Sequence, residues 1–348
     1  MVARKTVYCE YEFWKRFSEY FPKVIAPDES LIKKMQCWIN IYDFICKSDL
    51  HFDINFLQLK DNMAEDDSLR ILWKKHTGGY CKLSCDGDDF PELNKLSKES
   101  ISDPCLKSVY FTCLDSVGCK NIAEKFGIMA FNTDFTMNAD FLFKDNGVAI
   151  KKNNIDKKYS WKNLENVIEH PCNSLIIVDN YILADTKKID ENLMRILDIL
   201  IPKKKMDIPF HLSIFTYDMK NQAKNRFDDL KKGILIKRNG WTEHDLKITI
   251  YKCEKNGFHD RAIVTNNMWI GCGGGFDLFS GNKSCKTTTI SICYPFLQNT
   301  LNWLDEAYTN LLEEAERFAN KNDLKSIDEI GEEFPKFYIG DCVNRLIG

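Results

Sequence analysis

No stretch of this sequence is apolar for long enough to cross a bilayer. The longest apolar run, Ser174 to Ala184, falls far short of the roughly 20 residues that a transmembrane helix needs. The opening MVARKTVYCEYEFWKRF contains no apolar signal core. Charge of one sign is not in excess either: 48 basic residues stand against 51 acidic ones, a net charge of −3. That excludes coating of nucleic acid by bulk charge and leaves room for a local basic patch. Cys81 and Cys85 form a Cys-x3-Cys pair near His76, but no second ligand pair stands at zinc-finger spacing. The 14 cysteines are therefore expected as buried thiols of a soluble protein in the reducing cytoplasm.

What is present is core-forming. Of 348 residues, 44% are hydrophobic and 12% aromatic, which suits about two folded domains rather than a disordered chain. Thr6 to Cys9 reads as a strand. Residues 30–46 read as an amphipathic helix, with Leu31, Met35, Trp38, Ile39, Tyr42 and Ile45 on one face. Residues 49–58 alternate like a strand, 66–76 read as a helix ending at Gly78-Gly79, and 82–104 as a surface loop. Then come a strand over 107–115, a helix over 118–126 and a strand over 127–132. The charged connector 151–173 carries a boundary near its start. Beyond it, SLIIVDNYILAD is a continuous apolar strand, broken by Asp179 and Asn180, of the kind buried on both faces. A helix over 190–201, strands over 210–216, 246–253 and 287–295, a basic helix over 219–232 and a long helix over 297–321 complete the pattern. The fold class expected is α/β with two domains and a helical C-terminal extension, divided as 1–155, 156–296 and 297–348.

The densest chemistry lies in FHDRAIVTNNMWIGCGGGFDLF, residues 258–279. It reads His259, one residue, Arg261, four residues, Asn266, six residues, Gly273-Gly274. A histidine so placed can attack a phosphodiester phosphorus while the cation holds the non-bridging oxygens. Small residues let the backbone approach the phosphate. Asp179, Tyr181, Thr265 and Asn267 are candidates for the same site. Lys237 and Arg238 would form a basic rim, or a solvated surface pair. Alternatively, His259 and Arg261 bond strand carbonyls and Asp179 inside the domain.

The spacing resembles the phospholipase D superfamily motif, His-x-Lys-x4-Asp-x6-Gly-Ser. Over residues 160–296 the chain more closely resembles the phospholipase D-like C-terminal domain of the MIT-domain-containing family. The matching pieces are His259-Asp260-Arg261, Asn266-Asn267, Gly273 to Phe279, and the Asp179-x-Tyr181 strand upstream. The resemblance implies a mixed sheet flanked by helices and a module that binds phosphate groups, including those of phospholipid membranes. Three positions depart from the superfamily: arginine for lysine at 261, asparagine for aspartate at 266, glycine for serine at 274. Hydrolysis in the superfamily uses two histidines, and one copy of the motif is present here. A homodimer would supply the second.

Residues 107–134 resemble the end of a PIN-like nuclease fold, where a short helix precedes a Gly-Ile strand. That resemblance implies acids at strand ends holding Mg²⁺ or Mn²⁺, for which Glu10, Asp49, Asp115 and Asp134 are the candidates, against their being ordinary surface acids. Three functional readings follow. The first is a bacterial defence-type protein whose C-terminal domain recognises phosphate groups of nucleic acid or a nucleotide beside a nuclease-like N-terminal domain. The second is a non-enzymatic module for phospholipid head groups or a protein partner. The third is a dimeric phosphodiesterase acting through His259.

Overall fold

The computed structural model describes residues 4–19, 29–136, 140–151, 161–165, 168, 170–217, 245–253, 261–280, 283–320 and 344–348. Contacts divide the chain into two units. The first comprises Met1–Ala123, Ile128–Lys144 and Tyr294–Asn302; the second comprises Glu124–Gly127, Asp145–Cys293 and Trp303–Gly348.

The first unit begins with β1 (Thr6–Cys9), α1 (Tyr11–Glu19), α2 (Glu29–Lys47), β2 (Asp49–Phe52), α3 (Phe56–Asn62), α4 (Asp67–Thr77) and β3 (Lys82–Cys85). It continues with α5 (Asp103–Leu106), β4 (Val109–Phe111), α6 (Ser116–Phe126), β5 (Met129–Phe131) and α7 (Thr133–Thr136). Its five strands are all parallel, in the order β3-β2-β1-β4-β5. Two expectations are corrected here. Residues 49–58 are a strand only as far as Phe52, because Asn55 starts α3 with a capping box: its side chain accepts from Gln58 N, and the Gln58 side chain accepts from Asn55 N. The loop read over 82–104 contains β3, whose polar sequence suits a sheet edge where side chains stay in reach of water.

The core of this unit is aromatic. Phe13, Trp14 and Phe17 are buried on one side of α1. Phe13, Phe17, Trp38, Tyr42 and Trp14 follow one another in stacked pairs at 5.5, 5.3, 5.0 and 5.5 Å between centroids. Each such pair adds roughly 0.5–1.5 kcal/mol beyond the area it buries. The Trp38 indole N–H donates to Phe17 O at 2.8 Å, so the ring is buried without an orphaned donor.

In the second unit a seven-stranded mixed sheet runs in the order β6-β14-β11-β10-β7-β8-β9. The strands are β6 (Asn146–Ile150), β7 (Ser174–Val178), β8 (Phe210–Tyr217), β9 (Leu246–Cys253), β10 (Ala262–Thr265), β11 (Trp269–Cys272) and β14 (Thr288–Cys293). β12 (Phe279–Ser280) and β13 (Lys283–Ser284) make a separate small ribbon. All five residues of β7 are buried, as its unbroken apolar run requires. The helix expected over 190–201 is a longer composite: α8 (Thr186–Lys188), a π-helical stretch (Ile189–Leu193) and α9 (Met194–Leu200). Asp185 caps its start by accepting from Lys188 N.

The long helix α10 (Gln298–Asn320) places Leu304, Leu311 and Ala315 in this core, where Leu346 and Ile347 also pack. Among the described residues no helix is long and apolar enough to cross a membrane. Their cysteines are free thiols and most are buried. The helix read over 219–232, Lys237, Arg238, His259 and Asp260 lie outside the described residues.

Candidate phosphate-binding loop

β10 and β11 form the antiparallel hairpin expected from the sequence. Its register puts Ala262 opposite Val178 and Thr265 opposite Leu175, so Arg261 stands beside Asp179 at one end and Asn266 beside Ser174 at the other. Five residue steps at about 3.3 Å each hold the two ends on the order of 16 Å apart. The sequence-predicted site is thereby split. Asp179, Tyr181, Arg261, Gly273 and Gly274 share one end, while Thr265, Asn266 and Asn267 occupy the other.

The far end is a structural lock. Thr265, Asn266 and Asn267 are 0%, 0% and 1% exposed. Thr265 Oγ1 accepts from the backbone N–H of Asn267 and of Met268, which closes the two-residue turn. Asn266 Oδ1 accepts from Asn173 N at 3.0 Å, and its amide donates to Gly127 O at 2.8 Å and to Asn267 Oδ1 at 3.0 Å. Asn267 donates to Gly127 O and Pro171 O. Asn173 also donates to Gly127 O, so three asparagine amides converge on one carbonyl. The expectation that these residues face the Arg261 site is corrected: the turn geometry claims their polar groups for the interior. Gly127 itself has φ +60, and a Cβ there would lie 2.7 Å from Asn173 N and from Cys172 C.

The near end is built around the glycine loop from Gly273 to Asp277. Asp179, 1% exposed, accepts from Tyr181 N at 2.7 Å and from Phe276 N at 2.6 Å. Burial raises its pKa above the usual carboxylate range, against the two backbone donors and Arg261. Gly275 is needed here: its φ is +80, and a Cβ would stand 3.0 Å from Asp179 Oδ2 and 3.2 Å from Arg261 Cδ.

Arg261 donates to Gly273 O at 3.1 Å, an exposed bond to a loop carbonyl. Lys286 donates to the next carbonyl, Gly274 O, at 2.7 Å and also to Asp277 Oδ1. Lys188 reaches the other oxygen of Asp277 at 2.8 Å. Burial would raise the Asp277 pKa, but the bonds from Lys188 and Lys286 outweigh it and hold the group below its ordinary value. Both lysine side chains keep about a third of their surface exposed, at 34% and 35%.

Sequence reasoning missed Lys188 and Lys286. Neither stands at a motif spacing, and only the fold of α8 and the loop brings them to Asp277. Asp277 itself was legible within the Gly-x-Asp-x-Phe run.

The four candidate acids of the first unit do not form one group, although Glu10 and Asp115 both lie near the Cys119 thiol. Glu10 follows β1 at the point where the strand order reverses between β1 and β4, the usual place for a ligand in such sheets. Its two oxygens accept from Thr112 Oγ1 at 2.6 Å and from Cys113 N at 2.7 Å, tying β1 to the end of β4. Asp115 is held by Gly118 N at 2.7 Å, at the start of α6. Asp49 opens β2, at the opposite end of the strands from Glu10, paired with Arg4 and Lys82. Asp134 is exposed on α7. Among the described residues no three His, Cys, Asp or Glu side chains group as a cation site. Asp49, paired with Thr6 at the other end of the strands from Glu10, cannot share one cation with it, since carboxylate ligands must converge.

No curated protein matches the chain. Residues 159–298 match the family described as the phospholipase D-like domain at the C-terminus of MIT. The match covers the β7–β8–β9 strands, the hairpin, the glycine loop and β14. Over those residues the second unit of this chain is similar to a phospholipase D-like domain.

Proposed function

We propose that this domain is a phosphate-binding module that does not hydrolyse its ligand. The observation that carries the reading is the convergence of Lys188, Lys286 and Arg261 on the Gly273–Asp277 loop. Three cations there face two carboxylates, Asp277 and Asp179, and Asp179 is buried with its oxygens already bonded to backbone N–H groups. A phosphate group would share the two part-exposed ammonium groups with Asp277, and charge-assisted bonds of this kind are roughly twice as strong as neutral ones. Binding is favoured over cleavage because Asn266, which holds the place of the superfamily aspartate, is locked at the far end of the hairpin.

The ligand chemistry is a phosphate monoester or diester, carried by a nucleic acid, a nucleotide or a lipid head group. Fluorescein-labelled single-stranded DNA and RNA, a labelled nucleoside triphosphate and phosphoinositide-containing vesicles separate these sources. Binding of at least one probe, weakened about tenfold or more in Lys188→Ala/Lys286→Ala as two charge-assisted contacts imply, is the expected result. Wild-type affinity in both that variant and Arg261→Ala overturns the reading. So does turnover of the bound probe that is lost in His259→Ala. Cleavage that needs Mn²⁺ and survives His259→Ala would instead return the nuclease role, and with it the defence-type reading, to the first unit.

A further inference from the structure

One face of α10 fills the second unit's core through Leu304, Leu311 and Ala315. Beside it, between the helix and the strands β11 and β14, runs a groove of about 710 Å³. That is within the roughly 300–1,000 Å³ of sites that enclose a ligand or a few side chains. Its apolar lining includes Val178, Trp269, Trp303, Ala307 and Leu311. The Trp269 and Trp303 rings stand 6.3 Å apart at 45°, and Trp303 remains 43% exposed. An open groove with a half-exposed indole in its wall has the composition of an interface centre, where tryptophan is enriched.

The polar lining selects the occupant. Asp145, Glu306, Glu313 and Glu314 border the groove, against the single guanidinium of Arg261, so the local charge is +1 − 4 = −3. An acidic or phosphorylated segment would meet like charge, and a wholly apolar one would desolvate carboxylates without pairing them. The loop cations Lys188 and Lys286 are not among the groove's lining residues.

We infer that this groove docks a basic segment of a partner protein. A lysine or arginine of the segment lies over the Trp303 indole, where cation–π attraction adds to burial. Its neighbours pair with Glu306 and Glu313. The groove shares Arg261 and Gly273 with the glycine loop, but its carboxylates and indoles take no part in phosphate binding, so the inference stands if that reading fails.

The test uses the full chain and fluorescein-labelled nonapeptides of lysine, of glutamate, and of alternating glycine and serine, read by anisotropy. The lysine peptide binds, more weakly as salt is raised, and the other two do not. Glu306→Gln/Glu313→Gln and Trp303→Ala each weaken it about fivefold or more, the effect of roughly 1 kcal/mol. Glu12→Gln/Glu92→Gln removes the same charge from the first unit and leaves binding unchanged, as does Lys188→Ala. Equal binding of the neutral peptide overturns the inference, as does equal weakening by the two paired variants. Self-association of the chain that the groove variants abolish would overturn it too, by assigning the groove to a second copy.

Discussion

Asn266→Asp restores the superfamily's aspartate and tests the lock at the far end of the hairpin. Asn266 is 0% exposed and donates two hydrogen bonds, to Gly127 O and to Asn267 Oδ1, while accepting one from Asn173 N. A carboxylate keeps the acceptor and loses both donors. Two oxygens that were bonded then face a negative charge in the interior. Each lost partner costs about 1–3 kcal/mol, toward the lower end at Gly127 O, which keeps Asn267 and Asn173. The sum is about 3 kcal/mol at pH 7. Protonation returns one O–H donor, so the introduced carboxyl has a folded-state pKa raised above its unfolded value. Its stability is therefore greatest below the unfolded pKa of about 4 and is lost as pH rises through the folded one. Urea unfolding of wild type and variant at pH 7 and pH 4, read by tryptophan fluorescence, measures the difference at each pH. The expected gap is large at pH 7 and shrinks by half or more at pH 4. A gap below about 1 kcal/mol at pH 7, which is the ordinary scale for a surface change, or one equal at both pH values, would refute the assignment of the two donors.

Gly127→Ala should cost about 3 kcal/mol or more, because the contacts a Cβ would make are with backbone atoms that cannot turn aside. Gly273→Ala, with nothing within 4 Å of its Cβ position, should shift the melting temperature little and serves as the control. Gly275→Ala should leave the domain folded but weaken phosphate binding, since its Cβ presses on Asp179 and Arg261; unchanged affinity would remove the loop from the site. His211 predicts acid sensitivity. Burial first, then Arg345 and Lys247, lower its pKa from 6.5 to about 3, and its Nδ1 accepts from Arg345 N, which fixes the neutral form protonated on Nε2. The unfolded chain then binds more protons between those values, so stability falls as pH drops below 6.5, by about 3 kcal/mol between pH 7 and pH 4. A His211→Asn variant should show a flatter pH profile than wild type, and parallel profiles would contradict the placement.

Much of the architecture was legible along the chain. β7 reads as an unbroken apolar run because both its faces are covered, and the glycine-punctuated hairpin reads as two short strands because its alternation and turn residues are local properties. The phospholipase D-like segment could be recognised for the same reason, since the order of its short motifs survives in one dimension. Local cues also misled. Residues 49–58 alternate beyond Phe52, but the cap at Asn55 ended the strand, and β3 was hidden because an edge strand need not be apolar.

The site divided along the same line. The sequence by itself determined that Asp179, Arg261 and the glycines belong together, but it added Thr265, Asn266 and Asn267 to them and missed Lys188 and Lys286. Hydrogen-bond register decided the rest. A spacing of five residues joins Arg261 and Asn266 in the motif, yet along a strand it carries them to opposite ends of the hairpin. Lys188, Lys286 and Asp277 became one group only when α8 and the glycine loop closed on each other, and the groove beside α10 exists only where a helix leaves a sheet uncovered. Charge and burial are properties of neighbours in space, and the neighbours at this site lie up to 97 residues apart in the chain.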